Sequence, residues 1–142
     1  MMTSTAVWPK PEKQSQLKRI RLELARSDTY PNGSSRHGYE FVAPLDSGDH
    51  LDADGWRHHR GECVVRRFWG DEEPQIGRLV HRSGGAEHAR WVFDYDPEGE
   101  EDDEAGYRLG GHLFRVGEYV TIRGEDRKEH TFRVTSVQPR RL

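Results

Sequence analysis

Apolar residues recur at every second position in one short segment after another, and nothing resembling a long amphipathic helix interrupts them. From Lys18 to Arg26, Ile20, Leu22 and Leu24 alternate with Arg19, Arg21 and Glu23. That is the period of a strand with one wet face. Tyr39, Phe41 and Ala43 alternate with Glu40 and Val42 in a second strand, which follows the turn cluster Pro31-Asn32-Gly33-Ser34-Ser35 and is expected to stop at Pro44. Three further segments, Glu62–Trp69, Gln75–Arg82 and His88–Tyr95, are joined by short connectors rich in turn residues, as antiparallel neighbours require. Ala89, Trp91, Phe93 and Tyr95 share the face expected to point inward. Tyr107–Val116 reads as extended but broken at Gly110-Gly111, and Gly117 allows a kink or bulge before Tyr119–Arg123. In the last segment, His130–Val137, Phe132 and Val134 oppose Thr131, Arg133 and Thr135. Asp52–Arg60 is the one candidate helix, with Asp52 as N-cap and Gly61 expected in a left-handed C′ position. The fold class is therefore mainly β: a small antiparallel barrel or sandwich of about seven short strands with one short helix.

Only 32% of the 142 residues are hydrophobic and 33% are charged, so the core is thin and its aromatic rings must supply much of the buried area. Residues 1–16 offer almost nothing to bury and read as a disordered N-terminal tail, leaving 17–142 as a single β-rich domain. No apolar run is long enough to span a membrane, and the first ten residues lack the apolar stretch of a secretory signal. The single cysteine, Cys63, rules out an intramolecular disulfide and suits a reducing, cytoplasmic compartment.

The net charge of −3 conceals a division. Eight acids and no base lie between Asp94 and Glu104, within an acidic loop expected over 94–106. Without these eight, 17 acids face 22 bases and the remainder carries +5. The loop is read as solvated; the competing reading folds it over a basic face holding Arg66 or Arg67 and Arg108. It imitates a calcium-binding loop, with Asp94, Asp96, Glu98 and Gly99 at positions 1, 3, 5 and 6, but Ala105 stands where the bidentate glutamate belongs.

Gly38-Tyr39-Glu40-Phe41, Arg66-Arg67-Phe68-Trp69, the run Phe114–Ile122 and the run His130–Val137 together resemble a group of short bacterial proteins that carry no assigned function. The similarity spans roughly residues 17–138. It implies a bacterial, self-contained, soluble domain and lends no active site.

Chemistry has few footholds. No Gly-x-Ser-x-Gly elbow and no phosphate-cradling glycine loop ahead of a helix occurs. Cys63 would need a spatial neighbour such as His59 to become a thiolate. The eight histidines show no zinc-finger or metalloprotease spacing, but His81, His112, His130 and Cys63 could converge from separate strands on zinc or another divalent metal. Arg66, Arg67 and Trp69 interleave bases with a ring as single-strand-binding barrels do, and with Arg108 they are the candidate ligand-binding residues. At a net charge of −3 no general affinity for nucleic acid is expected. The sequence thus reads as a small soluble binding or interaction module for a protein or small-molecule partner, without a cofactor. The alternative is a metal-binding protein or metal-dependent enzyme built on those histidines.

Overall fold

Strand β1 (Gln16–Leu24) realises the first alternation: Ile20, Leu22 and Leu24 are buried while Arg19, Arg21 and Glu23 point to the other side. The computed structural model describes residues 16–82, 90–95, 104–106, 109–124 and 128–140. The expected tail therefore lies outside the described residues, except that Gln16 already pairs with Leu45. After β1 come β2 (Ser34–Leu45), α1 (Ala53–His58), β3 (Val64–Trp69), β4 (Gln75–Arg82), β5 (Arg90–Asp94), β6 (Glu104–Gly106), β7 (Tyr119–Arg123) and β8 (Glu129–Pro139). All pair antiparallel in one sheet of order β6-β5-β4-β3-β2-β1-β8-β7. The sheet curls until its edge strands β6 and β7 approach one another, which makes a half-barrel.

Curling is assisted by irregular pairing. Between β1 and β8 the register slips at Arg21/Leu22, where Thr135 is the extra residue and its hydroxyl donates to the Arg21 carbonyl at 3.4 Å. Between β1 and β2 it slips at Glu23/Leu24, so that Leu24 pairs with Ser34 and the chain from Ser35 to His37 bulges. Gly117, at φ 99°, occupies the left-handed region and donates its N–H to Val134, the kink anticipated ahead of β7.

The inner face is a stack of rings. Tyr39 lies 4.9 Å from Phe93 and 5.1 Å from Phe132, and Phe41 lies 5.3 Å from Phe93 and 6.0 Å from Phe114. Trp91, Phe93, Phe132 and Val134 are all buried, as the alternation required. One end of the half-barrel is plugged by α1. Asp52 caps the helix by accepting from the Asp54 N–H, and Trp56 reaches inward to donate its indole N–H to the Leu79 carbonyl at 2.7 Å. Its ring meets Trp91 at 6.1 Å and His81 at 6.0 Å.

Four expectations need correction. Strand β2 runs through Pro44 to Leu45; β3 covers only His37–Phe41, so one flank of residues 42–45 has no ladder for a missing N–H to break. Gly61 does not end the helix in a left-handed conformation. His59 is the C-cap, and Gly61 lies in a 3-10 turn over Arg60–Glu62. Where an extended segment is expected over 107–116, residues 107–108 lie outside the described ones and the rest is a 3-10 turn at Leu109–Gly111 followed by irregular chain. Leu109 is fully buried and draws that turn under the sheet. The acidic loop expected over 94–106 is shorter: Asp94 ends β5 with a half-buried contact to Arg82 at 3.4 Å, and Glu104–Gly106 form β6. Its residues 96–103 lie outside the described ones.

Candidate ligand cleft

The end of the half-barrel opposite α1 is open, and the strand ends there set the positions of its side chains. Val65, Arg67 and Trp69 share the inner face of β3, while Val64, Arg66 and Phe68 share the outer one. Trp69 is in register with His37 on β2, and the two rings meet edge to face at 4.8 Å. The His130 ring, from β8, stands 5.6 Å from Trp69, with Phe132 beneath at 6.3 Å. The Arg67 guanidinium lies over the Trp69 ring at 4.6 Å and reaches Glu72 at 3.7 Å.

Above them opens a cleft of about 820 Å³ lined by Tyr30, Tyr39, Arg67, Trp69, Gln75 and His130, with Asp28 and Glu72 also on its rim. The volume is that of a small-molecule site. The side-chain oxygen of Gln75 is buried and accepts no hydrogen bond among the described residues. A depression of similar volume, about 860 Å³, lies on the outer face between Glu23, Tyr119 and Arg133, with no ring cluster or buried unpartnered polar atom to define it.

His37 is fixed from both sides. Its Nδ1 lies 2.7 Å from the Ser34 hydroxyl and its Nε2 3.2 Å from the Tyr30 hydroxyl. Burial holds its pKa below the ordinary imidazole value, and neighbouring Arg36 adds to that. His81, 4.6 Å from the Trp91 ring, is lowered for the same first reason, with Arg57 contributing. Both rings are therefore neutral in the fold at values where the unfolded chain begins to take up protons. Stability is full above about pH 6.5 and declines as pH falls toward the folded values. The urea midpoint should drop on acidification from pH 7 to pH 5, and His81→Gln should flatten that decline. An equal slope in the variant would remove His81 from the account.

The four residues considered as metal ligands do not come together. His81 is against Trp91 and Trp56 at the plugged end, and His130 is against Trp69 at the open end. His112 follows the Leu109–Gly111 turn, its N–H donating to Leu109. Among the described residues no three His, Cys, Asp or Glu side chains are grouped to hold a metal ion. Cys63 is fully buried and its thiol donates to the backbone carbonyl of His59 at 3.3 Å. The His59 imidazole is engaged by Glu62 at 2.9 Å rather than by sulfur. Burial first, and then Glu62, push the thiol up to about 12. Native protein at pH 8 should leave a chromogenic disulfide reagent unreacted, with one thiol appearing in urea. Prompt reaction in the native state would contradict this environment.

Of the ligand-binding candidates, Arg67 and Trp69 meet in the cleft, Arg66 is on the opposite face, and Arg108 lies outside the described residues. Arg66 and Arg67 consequently share no basic face. Tyr30, His37 and Gln75 were not singled out by sequence reading, because their nearness to Trp69 follows from register and from the β2 bulge. No described helix is long and apolar enough to cross a membrane. No family model, curated protein or solved structure matches the chain.

Proposed function

We propose that the protein is a binding module whose half-barrel takes a small, planar, hydrogen-bond-donating molecule in its open end. The observation that carries this reading is the cleft itself, whose lining joins the Trp69, His130 and Tyr30 rings to Gln75, a residue whose buried side-chain oxygen has no partner among the described residues. A flat ligand gains dispersion and stacking against the rings, and a turn of the Gln75 amide toward it lets the buried oxygen accept its N–H, a hydrogen bond whose lack costs stability in the free protein. Charge narrows the class. Asp28 and Glu72 outweigh Arg67, so a neutral or singly cationic ligand is favoured over an anionic one. The sole cysteine, buried as a thiol, supports work in a reducing compartment such as the cytoplasm.

Calorimetric titration with nicotinamide, adenine and benzamide, each planar and bearing N–H donors, tests the reading. At least one should bind saturably, and Trp69→Leu and Gln75→Leu should each weaken it about tenfold or more, the equivalent of ~1.4 kcal/mol. Cyclohexanol and benzoate should not compete. Failure of all three planar probes, or binding indifferent to both substitutions, would overturn it.

A further inference from the structure

The outer face of the sheet carries a second feature, separate from the cleft. Ile76 on β4 is 59% exposed, far more than the buried apolar residues of the same sheet. It stands across from Arg66 on β3, and Arg66 in turn faces Glu40 on β2. Val64, also on the outer face of β3, is opposite Arg78. On β1, Arg19 is opposite Val42. Side chains directly across a ladder are about 5 Å apart at Cβ, so these seven residues form one continuous patch. Its floor is Val42, Val64 and Ile76, which share a shallow groove of about 250 Å³ with Arg19, Arg66 and Glu40.

The rim is positive and largely uncommitted. Among the described residues Arg19 and Arg78 form no ion pair. Arg66 reaches Glu40 only at 3.9 Å, while Arg21 already holds that carboxylate at 3.1 Å. Three guanidinium groups thus surround an apolar floor against two acids: Glu40, held from the side by Arg21, and Asp94, which is opposite Arg78 across the β4–β5 ladder and contacts Arg82 at 3.4 Å. Apolar patches ringed by arginine are typical of protein-binding surfaces: the floor supplies the anchor and the guanidinium forks the carboxylate contacts.

We propose that this face docks an acidic segment of a partner protein, one in which glutamate or aspartate alternates with aliphatic side chains. Charge complementarity selects the acidic residues, and the Val42–Val64–Ile76 floor selects the aliphatic ones. A purely acidic segment lacks the anchor, and a basic one is repelled. This proposal is independent of the cleft, since β3 presents the two sites on opposite faces.

The test uses the full chain and a fluorescein-labelled octapeptide alternating glutamate with leucine, followed by fluorescence anisotropy. Ile76→Asp and Arg78→Glu, both at exposed positions that leave the core intact, should each weaken binding at least tenfold. Trp69→Leu should leave it unchanged, and the same peptide with lysine for glutamate should not bind. Several results would overturn the proposal: no binding; binding unaffected by Ile76→Asp; or equal binding of an octaglutamate, which would mean charge alone. So would a tenfold gain on converting Glu100, Glu101, Asp102 and Asp103 to their amides, because the chain's own acidic segment would then be the occupant. Concentration-dependent dimers in sedimentation, abolished by Ile76→Asp, would instead assign the patch to a second copy.

Discussion

Replacing Phe132 with alanine is expected to lower the stability of the fold by about 3–5 kcal/mol. The ring is 1% exposed and sits where the inner faces of β1, β2, β3 and β8 meet. Tyr39 lies edge to face at 5.1 Å and Trp69 at 6.3 Å, so truncation removes the ring's own burial and leaves those neighbours facing a void. A domain of this size has a margin of about 5–15 kcal/mol, and a thin, ring-dependent core places it low in that range. The variant should show a sharply reduced urea midpoint. Thr131→Ala, one residue away on the exposed side of β8, should stay within about 0.5 kcal/mol of the parent. Similar midpoints for Phe132→Ala and the parent would place the wrong face of β8 inside.

A single added methyl should do comparable damage at Gly38. Here β2 passes so close to β1 that a Cβ would overlap the Leu22 carbonyl oxygen, and it would also stand 3.1 Å from the Phe68 ring. Backbone cannot swing aside as a flexible side chain can. The β1–β2 ladder would have to open at Glu23–Gly38, next to its register slip, and carry Phe68 and the Arg21 guanidinium stacked on it at 4.4 Å. Gly38→Ala should therefore cost about 3 kcal/mol, the upper part of the usual range for overpacking. Gly61→Ala is the internal control, because nothing lies within 4 Å of a Cβ there. Equal thermal midpoints for the two alanine variants would refute the close approach.

Strand identity was legible wherever one face is wet, because alternation then exposes the period directly: Ile20, Leu22 and Leu24, or Phe132 and Val134, could point only one way. The signal failed where local chemistry and sheet context disagree. Pro44 looks like a terminator until the missing β3 partner is known, and Glu104 looks like loop until β5 offers it a ladder. Gly38 and Gly77 are needed for close approach to atoms far along the chain, Leu22 and Asp94 respectively, so their sequence neighbours say nothing of it. The cleft was half legible for the same reason. Arg67 and Trp69 are two apart on one strand and so share a face, which a period of two states outright. His37 and Tyr30 join them through a bulge and a register that only the folded sheet defines.

If the open end of the half-barrel is the ligand site, the indole N–H resonances of the four tryptophans report on it. Trp69→Phe identifies one resonance and Trp56→Phe another. Trp56 is an internal reference, since its N–H is buried and bonded to Leu79 at the plugged end. Nitrogen–proton correlation spectra should be recorded while nicotinamide, adenine and benzamide are each titrated. The Trp69 resonance should shift saturably for at least one probe, with that of Trp56 stationary. A Trp69 resonance that stays fixed under all three, or moves only together with Trp56, would contradict a ligand site at the open end.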